Sequence, residues 1–243
     1  MIFLAAGFIQ GLSGFGSALV AMPLLTMFID VKIAVPLCIL NSLLMTSYLA
    51  IKLKKHIEPK KIWPLLAGSI PGIYIGAKFL VNVDQSITEL LLGLLIVSYC
   101  TYALIVHPEP RKIHKAWAYL AGFGTGFIGS AFSAGGPPSI IYTSLTDWSK
   151  DQVKATLTGF FFAASLITAA VHAASGLTGA VVLKYFFVSA LFVVIGVYGG
   201  SLLYNRISRK SYIRIILIIL MILGLIMSLS SLSSLSCFSS SSC

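Results

Sequence analysis

Apolar residues along this chain run in long uncharged blocks separated by short polar stops, with no alternation of polar and apolar positions. The blocks cover residues 1–29, 33–51, 62–79, 87–106, 116–146, 155–174, 181–204 and 212–227. Each lies near the ~20 residues that a helix needs to cross the hydrocarbon core of a bilayer, whereas a membrane-spanning barrel would show alternation. The pattern therefore predicts an all-α polytopic membrane protein. The first block has no basic front and continues past signal-peptide length, so it is expected to remain as a membrane segment. After residue 227 the chain becomes "SLSSLSSLSCFSSSSC", a serine-rich tail over 228–243. With little to pack, it is expected to be a frayed or disordered end with room for a turn or two more of the last helix.

Two of the blocks are interrupted. "GLSGFGS" at 11–17 falls near the middle of the first, and "SAGGPPS" at 133–139 a little past the middle of the fifth. Glycine gives up backbone order, and proline lacks the amide donor and clashes with the preceding turn, so neither stretch is expected to continue a helix. Lipid cannot satisfy the amides and carbonyls that a break exposes; such a break survives only where it lines a polar cavity or packs inside protein. A helix that restarts after the break aims amide donors and a positive dipole end at the cavity, which suits an anion.

A faint internal echo accompanies these breaks. "GIYIGAKFL" at 72–80 resembles "GVYGGSLLY" at 196–204, and "GFIQGLSGFGSA" at 7–18 resembles "GFIGSAFSAGGPP" at 126–138, with Ser13 and Ser133 in register. Two membrane repeats follow, 1–107 and 116–227, joined by a basic linker at 108–115. Each holds one glycine-broken segment and three plain ones.

Charge then chooses a topology. If all eight blocks cross, nine basic residues face eight and no bias results. If the first and fifth blocks enter, turn at the break and leave on the same side, the loops at 52–61, 107–115, 147–154 and 205–214 share a face. That face holds fourteen of the seventeen basic residues, leaving Lys32, Lys78 and Lys184 opposite. The positive-inside rule prefers this arrangement. It makes the two repeats inverted, each with one re-entrant segment plus three transmembrane helices, and places both termini outside the cytoplasm. Roughly a dozen helical residues reach about 18 Å, close to mid-bilayer, before each turn. Trp117 and Trp148 bracket the fifth block and would anchor both its ends at one interface.

Composition agrees: 58% of the 243 residues are hydrophobic and 10% charged, and mean hydropathy is +0.97. A net charge of +10 would suggest nucleic acid in a soluble protein, but here the basic residues sit in short loops and report topology, so no nucleic-acid partner is expected. The four cysteines show no metal spacing; Cys38 and Cys100 are expected to be apolar filler within spans. All seven acidic residues fall in or beside loops, which leaves no carboxylate relay and no cluster for a metal ion. No cofactor motif is present, and no Walker loop, so any transport would draw on gradients or another subunit. No nucleophile and base stand at helical spacing, and an enzyme is not expected.

The candidate substrate-binding residues are Ser13, Gly14, Gly16 and Ser17 in the first break and Ser133, Gly135, Gly136, Pro137 and Ser139 in the second. Hydroxyls and bare amides can hold an oxyanion without a fixed countercharge, which helps release as well as capture. Asn41 is added because an amide is costly to bury; cavity lining and internal bonding are both open for it. Ser42, Thr46, Thr158 and Ser165 lie at comparable depth, where hydroxyls usually bond the preceding turn. Lys78 is expected to snorkel, Tyr74 and Tyr198 to pack or anchor, and His172 to be an unremarkable histidine near the end of its segment.

On "GFIQGLSGFGSALVAMPLL" at 7–25 and "GFIGSAFSAGGPPSII" at 126–141, with the glycine-rich penultimate segments and the basic "YNRISRKSYIR" loop, the chain resembles the TauE/SafE (TSUP, sulfite exporter) family. The resemblance covers all but the serine tail. It implies a cell-membrane transporter of small anions, with sulfite and organosulfonates as the usual substrates. Expected partners are thus a small anionic substrate and the lipid bilayer. A passive anion channel, a carboxylate carrier and a homo-oligomer remain open.

Overall fold

The computed structural model describes residues 1–106, 114–203, 217–218 and 220–232, and every regular element among them is a helix. The basic stretches at 107–113 and 204–216 and the tail beyond 232 carry expectations that lie outside the described residues. The first uncharged block splits into α1 (Ile2–Ser13) and α2 (Ser17–Leu25). Three long helices follow: α3 (Val31–Leu53), α4 (Pro59–Asn82) and α5 (Gln85–Ile105). The fifth block likewise splits into α6 (Ala116–Phe132) and α7 (Gly136–Ser144), followed by α8 (Lys150–Ala174) and α9 (Ala180–Leu203). A last helix, α10 (Leu220–Leu232), runs past Met227 into the first serines of the tail. Helices α3, α4, α5, α8 and α9 are long and apolar enough to cross a membrane.

Several helices outrun their uncharged blocks, because a cap rather than the last apolar residue ends a helix. Asp30 caps α3, its carboxylate accepting from the Lys32 amide. Ser149 and Gln152 form a reciprocal capping box that starts α8 five residues ahead of the block. Lys154, expected in a loop, therefore lies inside α8.

Glycine explains the internal echo. Gly72 and Gly76 on α4 sit against the backbone of Phe123 and Phe127 on α6, while Gly196 and Gly200 on α9 sit against Leu4 and Phe8 on α1. A Cβ at any of these four would overlap a carbonyl oxygen. Small residues at such crossings let two backbones approach closely, the principal source of helix association where lipid removes the hydrophobic drive. The third helix of each half thus packs on the broken helix of the other half. The second helices, α3 and α8, pack on each other. Gly93 on α5 faces Gly224 and Ser228 on α10, which pairs the fourth helices as well.

Polar ties mark the two ends of the bundle. Glu58, which precedes α4, accepts from Lys61 at 2.8 Å and from Gln152 of α8 at 3.2 Å. Lys61 also lies over the Trp148 ring, 5.0 Å from its centroid, and Lys52 at the end of α3 donates to Ser201 at the end of α9. At the other end Lys32 donates to the Val81 carbonyl at 3.0 Å. The loops at 52–61 and 147–154 therefore meet. Tyr74 and Tyr198 point outward from their helices, more than half exposed, and Lys78 lies over the Tyr74 ring rather than inside the bundle.

Candidate functional site

Both breaks form by the same local device. At the end of α1 the Gly14 amide donates to the Gln10 carbonyl at 2.7 Å with φ +86°; at the end of α6 the Ser133 amide donates to the Gly129 carbonyl at 2.9 Å with φ +57°. This is the left-handed cap that usually ends a helix at glycine. Gly16, φ +91°, then starts α2. Ser133 is the one non-glycine residue with positive φ among the described residues, and an L side chain there costs about 1–2 kcal/mol.

The prolines do not belong to the break. The unwound stretch is 133–135, and Pro137 and Pro138 occupy the first turn of α7. First-turn amides have no intrahelical partner in any case, so proline is tolerated there. Its consequence is chemical: the second and third residues of α7, after Gly136, have no N–H to offer.

The two breaks line one cavity of about 70 Å³. Phe15, Gly16 and the first turn of α2 face Ser133, Ala134, Gly135 and Gly136 across it. Its polar side chains are Gln10, Ser17, Ser42, Thr125, Ser133, Ser165 and Thr168, and none of its lining residues is charged. The Ser17 hydroxyl donates to the Gln10 side-chain oxygen, which leaves the Gln10 NH₂ as the donor end of that amide. Ser133 is 8% exposed, and its buried hydroxyl has no hydrogen-bond partner. A buried hydroxyl without a partner costs about 1–3 kcal/mol.

Of the residues singled out in the sequence, the cavity brings together Gly16, Ser17, Ser133, Gly135 and Gly136. Gly14 instead packs on the Lys154 side chain. Asn41 donates to the Leu37 carbonyl at 2.9 Å and accepts from Ser189 of α9 at 3.1 Å, tying two spans together. Pro137 is buried in the first turn of α7 and is not among the residues lining the cavity. Ser139 gives its hydroxyl to Gly136 at 3.0 Å and its amide to Thr125 at 3.2 Å. Ser13 closes α1, and its side chain lies outside the described structure. Cys38 and Cys100 are buried free thiols away from the cavity.

Sequence reasoning missed Gln10, Thr125 and Thr168, polar residues hidden in apolar runs. It placed Ser42 and Ser165 at the right depth without linking them, although they stand at nearly the same spacing as Ser13 and Ser133. His172 also differs from expectation. It is wholly buried, with Nε2 3.0 Å from the Ser130 carbonyl oxygen and 3.1 Å from its hydroxyl. A carbonyl accepts only, so Nε2 carries the hydrogen. Nδ1 has no partner, so no third group orients the ring as a catalytic triad requires. No group of three His, Cys, Asp or Glu side chains able to hold a metal ion occurs among the described residues.

Bilayer-length helices packed around a small, uncharged, polar cavity where two other helices break are those of a multi-pass membrane protein. The chain belongs to the sulfite exporter TauE/SafE family, whose model matches residues 1–227. That family is one of transporters, and membership implies transport of the sulfite or anion-exporter type, with a small anionic substrate and lipid around the chain. No curated protein and no solved structure matches the chain.

Proposed function

We propose that this protein is a secondary carrier that exports a small sulfur-containing oxyanion, sulfite or an organosulfonate, bound in the cavity between the two breaks. The observation that carries the reading is the Ser133 hydroxyl, buried without a partner on left-handed backbone at a cavity lined by the start of α2. Amides of a helix start and neutral hydroxyls favour an anion without trapping it. A cavity of about 70 Å³ suits a guest of a few heavy atoms. Walls of serine, threonine and glutamine match oxygens on a sulfur centre better than they match an apolar ligand.

The breaks are re-entrant tips in this reading, and the halves are inverted repeats. Support comes from the contact of the loops at 52–61 and 147–154, which an eight-crossing chain would hold on opposite faces. The paired packing of α4 on α6 and α9 on α1 is what a two-fold axis in the membrane plane produces. The N-terminus then faces away from the cytoplasm, and rocking of one half on the other exposes the cavity to each side in turn.

The test is uptake into liposomes, with counterflow, across sulfite, a short organosulfonate, acetate and chloride, comparing the native chain with Ser133→Gly. Glycine accepts φ +57° without strain, so the variant should be at least as stable. Loss of one hydrogen bond to a charged guest should weaken binding about tenfold or more. Saturable flux with counterflow, reduced in the variant, is the expected result. Unsaturable flux or an unchanged affinity would contradict it.

A further inference from the structure

Resting on the anion reading above, the inference concerns Lys154, a buried lysine beside the first break. A guest between α1 and α2 meets two opposed partial charges, the amides of Ser17, Ala18 and Leu19 at the start of α2 and the last carbonyls of α1. A helix carries roughly half a positive charge at its start and half a negative charge at its end, so the two ends of a broken helix oppose each other unless one is compensated. Lys154 compensates one of them. It is 8% exposed, its Nζ lies 3.4 Å from the carbonyl oxygen of Gly11 in the last turn of α1, and its stem runs along Gly14.

The second break has a related but weaker arrangement. His172, also on α8, donates to the Ser130 carbonyl in the last turn of α6. Lys154 and His172 are 18 residues apart on α8, about 27 Å, so the two helix ends meet α8 on either side of its cavity-lining residues Phe161, Ala164, Ser165 and Thr168. Pro137 and Pro138 remove two amides from the start of α7, and the Ser139 amide is taken by Thr125. The second break keeps the Ser133 hydroxyl and the amides of Ala134, Gly135 and Gly136, but among the described residues the buried lysine stands at the first break alone, so the full charge that biases the cavity is there.

We propose that Lys154 is a positioning residue that sets the cavity's preference for anions, cancelling the negative end of α1 so that the amide end of α2 dominates the field at the guest. It does not touch the guest. Gly14, along which its stem lies, is two residues from Gly16 in the cavity wall, which puts the ammonium on the order of 10 Å from the guest. At an effective dielectric of about 20, removing a unit charge at that range weakens a monoanion's binding about tenfold or somewhat more, and a dianion's by about the square of that factor.

That scaling separates an electrostatic role from a purely structural one. Binding of methanesulfonate, a monoanion, and sulfate, a dianion of similar shape, is measured on the full chain in detergent for the native protein, Lys154→Met, Lys154→Gln and Lys154→Arg. The proposal expects both neutral variants to lose about tenfold on methanesulfonate and about a hundredfold on sulfate, with Lys154→Arg close to native on both. Two neutral replacements of different polarity keep the test open if one of them fails to fold. An equal loss on the two probes, or no loss, overturns the role of Lys154 while leaving the anion cavity standing. Absence of binding of either probe to the native chain overturns the anion reading itself and this inference with it.

Discussion

Replacing Gly135 by alanine is expected to abolish anion binding, while the same change at its neighbour Gly136 leaves most of it intact. A Cβ on Gly135 would overlap the carbonyl oxygen of Thr125 and lie 2.8 Å from Cα of Gly129, both backbone atoms of α6. Backbone cannot yield by a rotamer change, so the whole break must move away from α6. The move would also strain the bond from the Ser139 amide to the Thr125 hydroxyl, which fixes the start of α7. Overpacking of this kind costs typically 1–3 kcal/mol in stability. The larger effect falls on binding, because the Ser133 hydroxyl and the facing amides must stand within a few tenths of an ångström to share one guest. A loss of at least a hundredfold in anion affinity is expected from titration of the purified variant. On Gly136 the nearest atom to an added Cβ is the Ile140 Cδ1 at 3.2 Å, the tip of a flexible side chain. An affinity within a few-fold of native is expected there.

Gly200→Ala is expected to destabilise the fold by about 3 kcal/mol, the upper end for overpacking, and Gly199→Ala to be neutral or slightly stabilising. A Cβ on Gly200 would run into the carbonyl of Phe8, where α9 presses on α1. Relieving that clash separates two helices whose association depends on close backbone contact. At Gly199 the nearest atom lies 3.9 Å away, on the Phe8 ring, and alanine restores helix propensity worth roughly 0.5–1 kcal/mol. Thermal unfolding in detergent checks both. Equal behaviour of the two neighbours would mean that the α1–α9 seam is looser than described.

The parts of this fold that could be read from the sequence are those set by local chemistry. Uncharged runs gave the spans, and "GFG" at 14–16 and "SAG" at 133–135 stop helices because left-handed backbone or loss of order is available there. The likeness of Gly72 and Gly76 to Gly196 and Gly200 was visible as an echo, but its cause, two equivalent helix crossings, appears only when α4 lies on α6 and α9 on α1. Pro137 and Pro138 drew attention as breakers although they open a helix, since a proline pair has the same letters at either role. Lys154 was assigned to a loop by its charge; the Ser149-x-x-Gln152 capping box was the local signal that α8 had already begun. Gln10 and His172 depend on partners seven and forty-two residues away. No periodicity in the chain announces either pairing.

One measurement bears most directly on the claim that two interrupted helices share a single anion cavity. Phe15→Cys and Ala134→Cys, each made in a cysteine-free form of the full chain, place a thiol in one break at a time on the cavity wall. Their reaction with a small thiol reagent is followed as the best-bound oxyanion is titrated. The account expects both thiols to be protected, with half-protection at the same anion concentration. Protection of one thiol without the other, or at concentrations that differ well beyond error, would contradict it.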